Sequence, residues 1–184
     1  LPSLTTLRIQ ETPQLAYIEN NSFPNLKSFS LYNYRPTSSL NFNDALIPSL
    51  NNLTLLDAGL IPSLIGFKHS NLRYFYVQDC AMGMFVADNS FSNLAGWNIF
   101  LSNVTTFLNN SVPQLKTLRV SSNNLTVFRN NTLPKAELVD LSENQLTTIA
   151  GNTFGAVVNL DLSKSEVTQD DNRFGDEFID ELAA

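Results

Sequence analysis

The sequence predicts a mostly-β solenoid of the α/β type. About eight parallel strands line one side and irregular or 3₁₀ turns line the other. Two observations predict it. The first is a period: Leu115-Lys-Thr-Leu118-Arg-Val120-Ser-Ser-Asn123 is followed by Ala136-Glu-Leu-Val139-Asp-Leu141-Ser-Glu-Asn144, and then by Val157-Val-Asn-Leu160-Asp-Leu162-Ser-Lys-Ser165. Each copy starts 21 residues after the last. In a solenoid each unit buries its apolar face by stacking on its neighbours, which is why the unit recurs. The second observation is the alternation within a copy. Leu118 and Val120, Val139 and Leu141, and Leu160 and Leu162 stand two apart, so both members of a pair share one face of a short strand. Arg119, Asp140 and Asp161 lie between them and face solvent.

Carried outward in the same frame, the leading apolar positions are Leu4, Leu26, Leu50, Leu72, Leu94, Leu115, Ala136 and Val157. Their spacings are 22, 24, 22, 22, 21, 21 and 21 residues, which makes eight repeats over residues 1–167. Strands are expected at Leu7–Ile9, Phe29–Leu31, Leu53–Leu55, Phe75–Val77, Trp97–Ile99, Leu118–Val120, Val139–Leu141 and Leu160–Leu162. The corner after each strand is Thr12, Tyr34, Ala58, Cys80, Ser102, Asn123, Asn144 or Ser165; an asparagine amide there can bond the backbone of adjoining turns. A second recurrence precedes the repeat boundaries: Asn21-Ser-Phe23, Asn89-Ser-Phe91, Asn110-Ser-Val112, Asn131-Thr-Leu133 and Asn152-Thr-Phe154. Its apolar residue should form a spine beneath a polar turn. The ten or so residues available exclude a full helix, so short turns or 3₁₀ pieces are expected.

Two repeats depart from the pattern. Tyr34-Arg-Pro-Thr-Ser-Ser-Leu40 carries a two-residue excess and should bulge, and Gly59-Leu-Ile-Pro-Ser-Leu-Ile-Gly-Phe67 reads as a tight turn. Beyond Val167 the period fades. Phe174, Phe178 and Leu182 stand four apart, so residues 168–184 are expected to form an acidic capping segment with a short helix. The chain opens on Leu1-Pro-Ser-Leu4, which matches Ile47-Pro-Ser-Leu50 inside the array, and therefore reads as a fragment or processed form.

Leu115, Leu118, Val120, Asn123 and Leu125, and again Val139, Leu141, Asn144 and Leu146, resemble the leucine-rich-repeat pattern L-x-x-L-x-L-x-x-N-x-L. The phenylalanine spine resembles the extracellular subclass of that family, that of Toll-like receptors, Slit-like proteins and small proteoglycans. The resemblance implies a curved horseshoe with the parallel sheet on its concave side.

Bulk composition narrows the function classes. The net charge of −6 leaves no basic stripe to neutralise phosphates, which argues against a nucleic-acid partner. No apolar run is long enough for a membrane span. Cys80 is the single cysteine, so no intrachain disulfide forms, and its corner position favours a buried structural thiol. His69 is the single histidine and reads as a solvated loop residue, with no nucleophile placed beside it. There is no phosphate-cradling glycine loop and no metal-ligand spacing, so no cofactor or metal is expected. Asp140 and Asp161 are expected side by side on adjacent strands, but aspartate between strand leucines is ordinary in the resembled family and Arg119 could offset the pair.

The outward rows of the expected sheet are more informative. They read Arg8, Ser30, Thr54, Tyr76, Asn98, Arg119, Asp140, Asp161 and Gln10, Tyr32, Leu56, Gln78, Phe100, Ser121, Ser142, Ser163. Tyr32, Leu56, Tyr74, Tyr76 and Phe100 should cluster there as anchors, with Arg119, Asp140 and Asp161 as polar rim. A one-residue register slip would bury them instead. Asn20, Asn52, Asn103, Asn109, Asn124 and Asn130 begin N-glycosylation sequons, six against about four expected by chance. A glycan on Asn52 would stand at the start of a concave strand and obstruct that face.

The expectation is a non-enzymatic extracellular or cell-surface recognition or adhesion module that binds a protein or glycan on the concave face. The alternative is a structural repeat protein that self-associates end to end or laterally in a matrix, sheath or filament.

Overall fold

The structure, a computed structural model, describes residues 2–12, 22–33, 46–61, 63–82, 85–165 and 168–170. The expected corner Tyr34, the bulge over Tyr34–Leu40, the sequon at Asn20 and the terminal helix through Phe174, Phe178 and Leu182 lie outside them.

The chain is a parallel β-solenoid. Among the described residues its long sheet has eight strands in chain order: Thr6–Gln10, Ser28–Tyr32, Asn52–Leu56, Tyr74–Gln78, Gly96–Phe100, Thr117–Arg119, Leu138–Asp140 and Asn159–Asp161. The register is the one the alternation predicts. Leu7, Phe29, Leu53, Phe75, Trp97, Leu118, Val139 and Leu160 form one inward row. The leading positions from Leu26 to Val157 are buried, as is the spine of Phe23, Ile47, Phe91, Val112, Leu133 and Phe154. Each fully buried leucine or phenylalanine contributes about 2 kcal/mol of apolar burial.

The other side of the solenoid differs from expectation. Among the described residues there is no helix and no 3₁₀ turn, so the α/β character is corrected to all-β. A second parallel sheet stands there, made of Leu64–Ile65, Phe85–Ala87, Thr106–Leu108, Val127–Arg129, Thr148–Ala150 and Thr168–Asp170. Leu64, Val86, Phe107, Phe128 and Ile149 point from it into the core. The physical reason is backbone satisfaction: two or three extended residues per repeat bond the next repeat directly, so a span too short for a helix still pairs its polar groups. The tight turn expected over Gly59–Phe67 is likewise replaced by two strands, Leu60–Ile61, paired with Ala81–Met82, and Leu64–Ile65.

Aromatic rings run along the core from turn to turn. Trp97 stacks on Phe75 (centroids 6.1 Å apart) and meets Phe91 and Phe107 at 5.1 and 5.0 Å; Phe107, Phe128 and Phe154 continue the pile.

Two side-chain ladders clamp the turns at their bends. At the corner, Ala58 N–H donates to Cys80 Sγ, Cys80 N–H to Ser102 Oγ and Ser102 N–H to Asn123 Oδ1, at 3.4, 3.4 and 2.9 Å. Leu125 N–H donates to Asn144 Oδ1 at 2.9 Å, and Asn144 Nδ2 donates back to the Val120 carbonyl at 2.7 Å. On the back, Asn89, Asn110, Asn131 and Asn152 are buried in file. Each Oδ1 after the first accepts both the N–H and the amide of the asparagine one repeat earlier, at 2.8–3.2 Å. The amides also donate to carbonyls of Leu64, Val86, Phe107 and Phe128 in the preceding turn.

Left-handed residues precede both ladders. Glu11, Asn33, Asp57, Asp79, Leu101, Ser122, Glu143 and Lys164 have φ between 45° and 62°; Gly66, Asp88, Asn109, Asn130 and Gly151 repeat this on the back at 54–68°. Asparagine, aspartate and glycine suit that conformation. Leu101 does not: it is 55% exposed and holds φ 49°.

Candidate recognition face

The strands of the long sheet carry alternate residues outward, and the register brings the expected anchors into adjoining rows. Tyr76 lies between Thr54 and Asn98 in one row. Tyr32, Leu56, Gln78 and Phe100 share the next. All four anchors in these rows are half-buried. The Tyr76 and Phe100 rings meet with centroids 6.0 Å apart, and the Tyr76 hydroxyl donates to Gln78 Oε1. At the other end of this group, the Arg8 guanidinium stands over the Tyr32 ring at 4.5 Å, a cation–π contact that gives the patch a basic border. The sheet therefore presents aromatic and aliphatic side chains in these two rows over repeats two to five, bordered by Arg8 of repeat one.

Tyr74 stands apart. It belongs to a third row, between Asn52 and Gly96, and is 57% exposed. Its ring lies over Gly96, where a Cβ would meet Tyr74 Cδ1 at 3.1 Å. At the entry edge of the sheet, Asn51, Asn52, Asn71, Arg73, Tyr74 and Asn93 line a polar groove of about 560 Å³. The Asn71 and Asn93 amides donate to the Pro48 and Ser70 carbonyls at 2.8 and 2.7 Å, so their oxygens are the groups left as acceptors. Arg73, Asn71 and Asn93 were not singled out in the sequence. Their signal was available: an amide just before a leading leucine, at intervals of one repeat.

The residues of the expected polar rim, Arg119, Asp140 and Asp161, lie in one outward row. Asp140 and Asp161 are paired in register, and so are Arg119 and Asp140. Each aspartate nevertheless bonds its own strand end. Asp140 Oδ1 accepts from Ser142 N–H at 3.1 Å and its hydroxyl at 2.6 Å, and Asp161 Oδ1 accepts from Ser163 N–H at 2.9 Å. That backbone bond, helped by the Ser163 hydroxyl, holds the Asp161 carboxyl below its ordinary range. Nearby, Lys164 donates to Glu143 at 2.5 Å; this bond and one from Ser122 keep the Glu143 carboxyl low. No group of three or more His, Cys, Asp or Glu among the described residues is arranged to hold a metal ion.

Cys80 and His69 are both buried. Cys80 is buried in the corner ladder; its S–H donates toward the Gln78 carbonyl at 3.2 Å, and burial pushes the thiol up to about 11. His69 corrects an expectation: it is 1% exposed, with Nε2 3.1 Å from the Ile47 carbonyl. The reason is its position three residues before Leu72, the spine site that Phe91 occupies before Leu94.

The sequon asparagines Asn52, Asn103, Asn109, Asn124 and Asn130 are all exposed. Asn124 donates to Asn103 Oδ1 at 3.3 Å across one repeat, and Asn109 donates to Asp88 at 3.0 Å. Among the described residues, no helix is long and apolar enough to cross a membrane. Compared with known proteins, the chain matches no family model, no curated protein and no solved structure.

Proposed function

We propose that this chain is a non-enzymatic recognition or adhesion module that works outside the cell or at its surface. Its long sheet is the concave face of a leucine-rich-repeat horseshoe and binds a protein or glycan. The observation that carries the reading is the anchor patch: Tyr32, Leu56, Tyr76 and Phe100 stand in adjoining outward rows, with the Tyr76 and Phe100 rings in contact at 6.0 Å. A rigid sheet holding aromatic groups at fixed spacing loses little side-chain entropy on binding. Support for the repeat type comes from the Asn123 and Asn144 corners, whose amides bond carbonyls of the preceding turn and of their own. Support for an extracellular location comes from five exposed sequon asparagines. Arg119, Asp140 and Asp161 supply the polar border.

The test is to screen the protein against arrayed glycans and arrayed cell-surface ectodomains, then repeat every positive with the Tyr76→Ala/Phe100→Ala double variant. Loss of at least tenfold in affinity with an unchanged melting temperature is the expected result. Undiminished binding by the double variant removes the proposal.

One observation favours the alternative, a repeat protein that assembles end to end. Val158 is 82% exposed next to Asn159–Asp161, the last strand of the long sheet among the described residues. Sedimentation separates the two: mass that rises with concentration and returns to monomer in Val158→Asp supports assembly, and a constant monomer mass removes it.

A further inference from the structure

The polar groove at the entry edge of the long sheet points to an occupant that the chain itself carries. Asn52 begins the sequon Asn52-Leu53-Thr54, is exposed, and lines the groove. Its register partner on the next strand is Tyr74, the most exposed aromatic side chain of the sheet. Because residue 96 is glycine, the Tyr74 ring can lie over it, which keeps the ring off Asn52 and the groove open. The remaining lining is chemically specific. Arg73 supplies N–H donors, and the Asn71 and Asn93 oxygens supply acceptors, held in place by the bond each amide nitrogen makes to a backbone carbonyl.

An apolar ring face, a fixed set of donors and a fixed set of acceptors are what an N-acetylated pyranose needs. Its C–H face lies against the aromatic ring, its hydroxyls bond the amide oxygens, and its acetamide carbonyl accepts from the guanidinium. The volume is within the ordinary range for small-ligand clefts.

We propose that this groove is filled by the first sugar of an N-glycan on Asn52, an N-acetylhexosamine that docks back onto Tyr74 and Arg73. The inference rests on the extracellular reading above. The bond forms when Asn52 Nδ2 attacks C1 of a polyprenyl-diphosphate-linked oligosaccharide; the lipid diphosphate leaves and the amide loses one proton. Attachment makes docking intramolecular, with an effective concentration on the order of millimolar, so contacts too weak to hold a free sugar suffice. The docked sugar takes Tyr74 out of the partner surface; held in the Asn52–Tyr74–Gly96 row at the entry edge, it does not obstruct the face but leaves the rows of Tyr76 and of Tyr32, Leu56 and Phe100 as the open anchors.

The experiment uses the full chain secreted from a glycosylating eukaryotic host. Glycopeptide mass spectrometry reads occupancy at each sequon. Melting temperatures are then compared for the wild type, Asn52→Gln, Tyr74→Ala and the double variant, with the same four proteins from a bacterial host giving the cost of each substitution without sugar. Occupancy at Asn52 is expected, with loss of the sugar lowering the melting temperature by about 2–4 °C when Tyr74 is present and by nothing when it is absent. Thr54→Ala, which breaks the same sequon and leaves Asn52 in place, must reproduce that dependence. A bare Asn52 beside occupied sequons elsewhere overturns the inference alone, as does an equal shift in both backgrounds. Six bare sequons overturn the extracellular reading with it.

Discussion

The corner ladder and the back ladder perform the same task with different tolerance. Along the back, four successive repeats use asparagine, and every Oδ1 after the first takes two bonds from the turn before it. Along the corner the acceptor changes from Cys80 to Ser102 to Asn123 while the bond to the preceding N–H persists. The difference lies in how far each bend lets its bonds lapse. At the asparagine corners, Asn123 and Asn144, the amide also reaches a carbonyl of the preceding turn, whereas Ser102 keeps only the accepted N–H and turns its hydroxyl to the Phe100 carbonyl of its own turn. Along the back all four side chains both reach a carbonyl of the preceding turn and accept an N–H, which takes a carbonyl oxygen and an amide together.

Substitutions can break or sharpen that contrast. The largest effect is expected for Asn131→Ala, which takes the Asn131 side-chain bond from Asn110 N–H and from the Phe107 carbonyl, and one of two bonds from the Asn110 amide and from Asn152 Oδ1. Buried groups left unpaired cost about 1–3 kcal/mol each before relaxation, so a loss of about 3 kcal/mol in urea unfolding is expected. A loss below about 1 kcal/mol would show that the back ladder tolerates gaps as well as the corner does. A smaller effect is expected at Cys80, whose bonds are long and weak. Cys80→Ala should cost about 1 kcal/mol, and Cys80→Ser less than that, because the hydroxyl still accepts from Ala58. The thiol also carries a pH signature. Its folded pKa of about 11 lies above the ordinary 9.0, so the unfolded chain ionises first and stability falls as pH rises through that interval. Cys80→Ala should abolish that alkaline limb; an unchanged limb would place its origin elsewhere. The smallest effect is a gain. Leu101→Asn relieves a left-handed leucine at φ 49° and should raise stability by about 0.5–1 kcal/mol, or a few degrees in melting temperature. A loss there would mean that the exposed leucine makes contacts worth more than its strain.

The long sheet was legible because its strands turn apolar pairs inward in alternation, buried in the middle repeats and half-buried at Leu7 and Ile9 and at Leu160 and Leu162, which sets period and register together. The back sheet was not. Thr106-Phe-Leu, Val127-Phe-Arg and Thr148-Ile-Ala each bury chiefly one central side chain, and a single apolar residue has no period of its own. The asparagines at 110, 131 and 152 were visible as a recurring motif, but a polar residue reads as surface unless its bonds are known. His69 misled for the same reason, although its spacing from Leu72 placed it on the spine. At the candidate face, the anchor rows followed from the register. The groove depended on Gly96 making room for Tyr74, a relation between neighbouring strands that spacing alone does not reveal.

The back ladder also has a direction. Each asparagine takes the N–H and amide of the one a repeat earlier and gives its own amide to a carbonyl of that earlier turn, 21 and 24 residues upstream. A turn is thus completed by the turn after it. On the ribosome, where the amino end emerges first, the newest turn is always the unfinished one, and closure trails synthesis by one repeat. A nascent chain halted just before Asn131 would expose the amide of Asn110 and shelter everything upstream. Protease sensitivity of stalled chains should therefore sit at their leading turn and move with it.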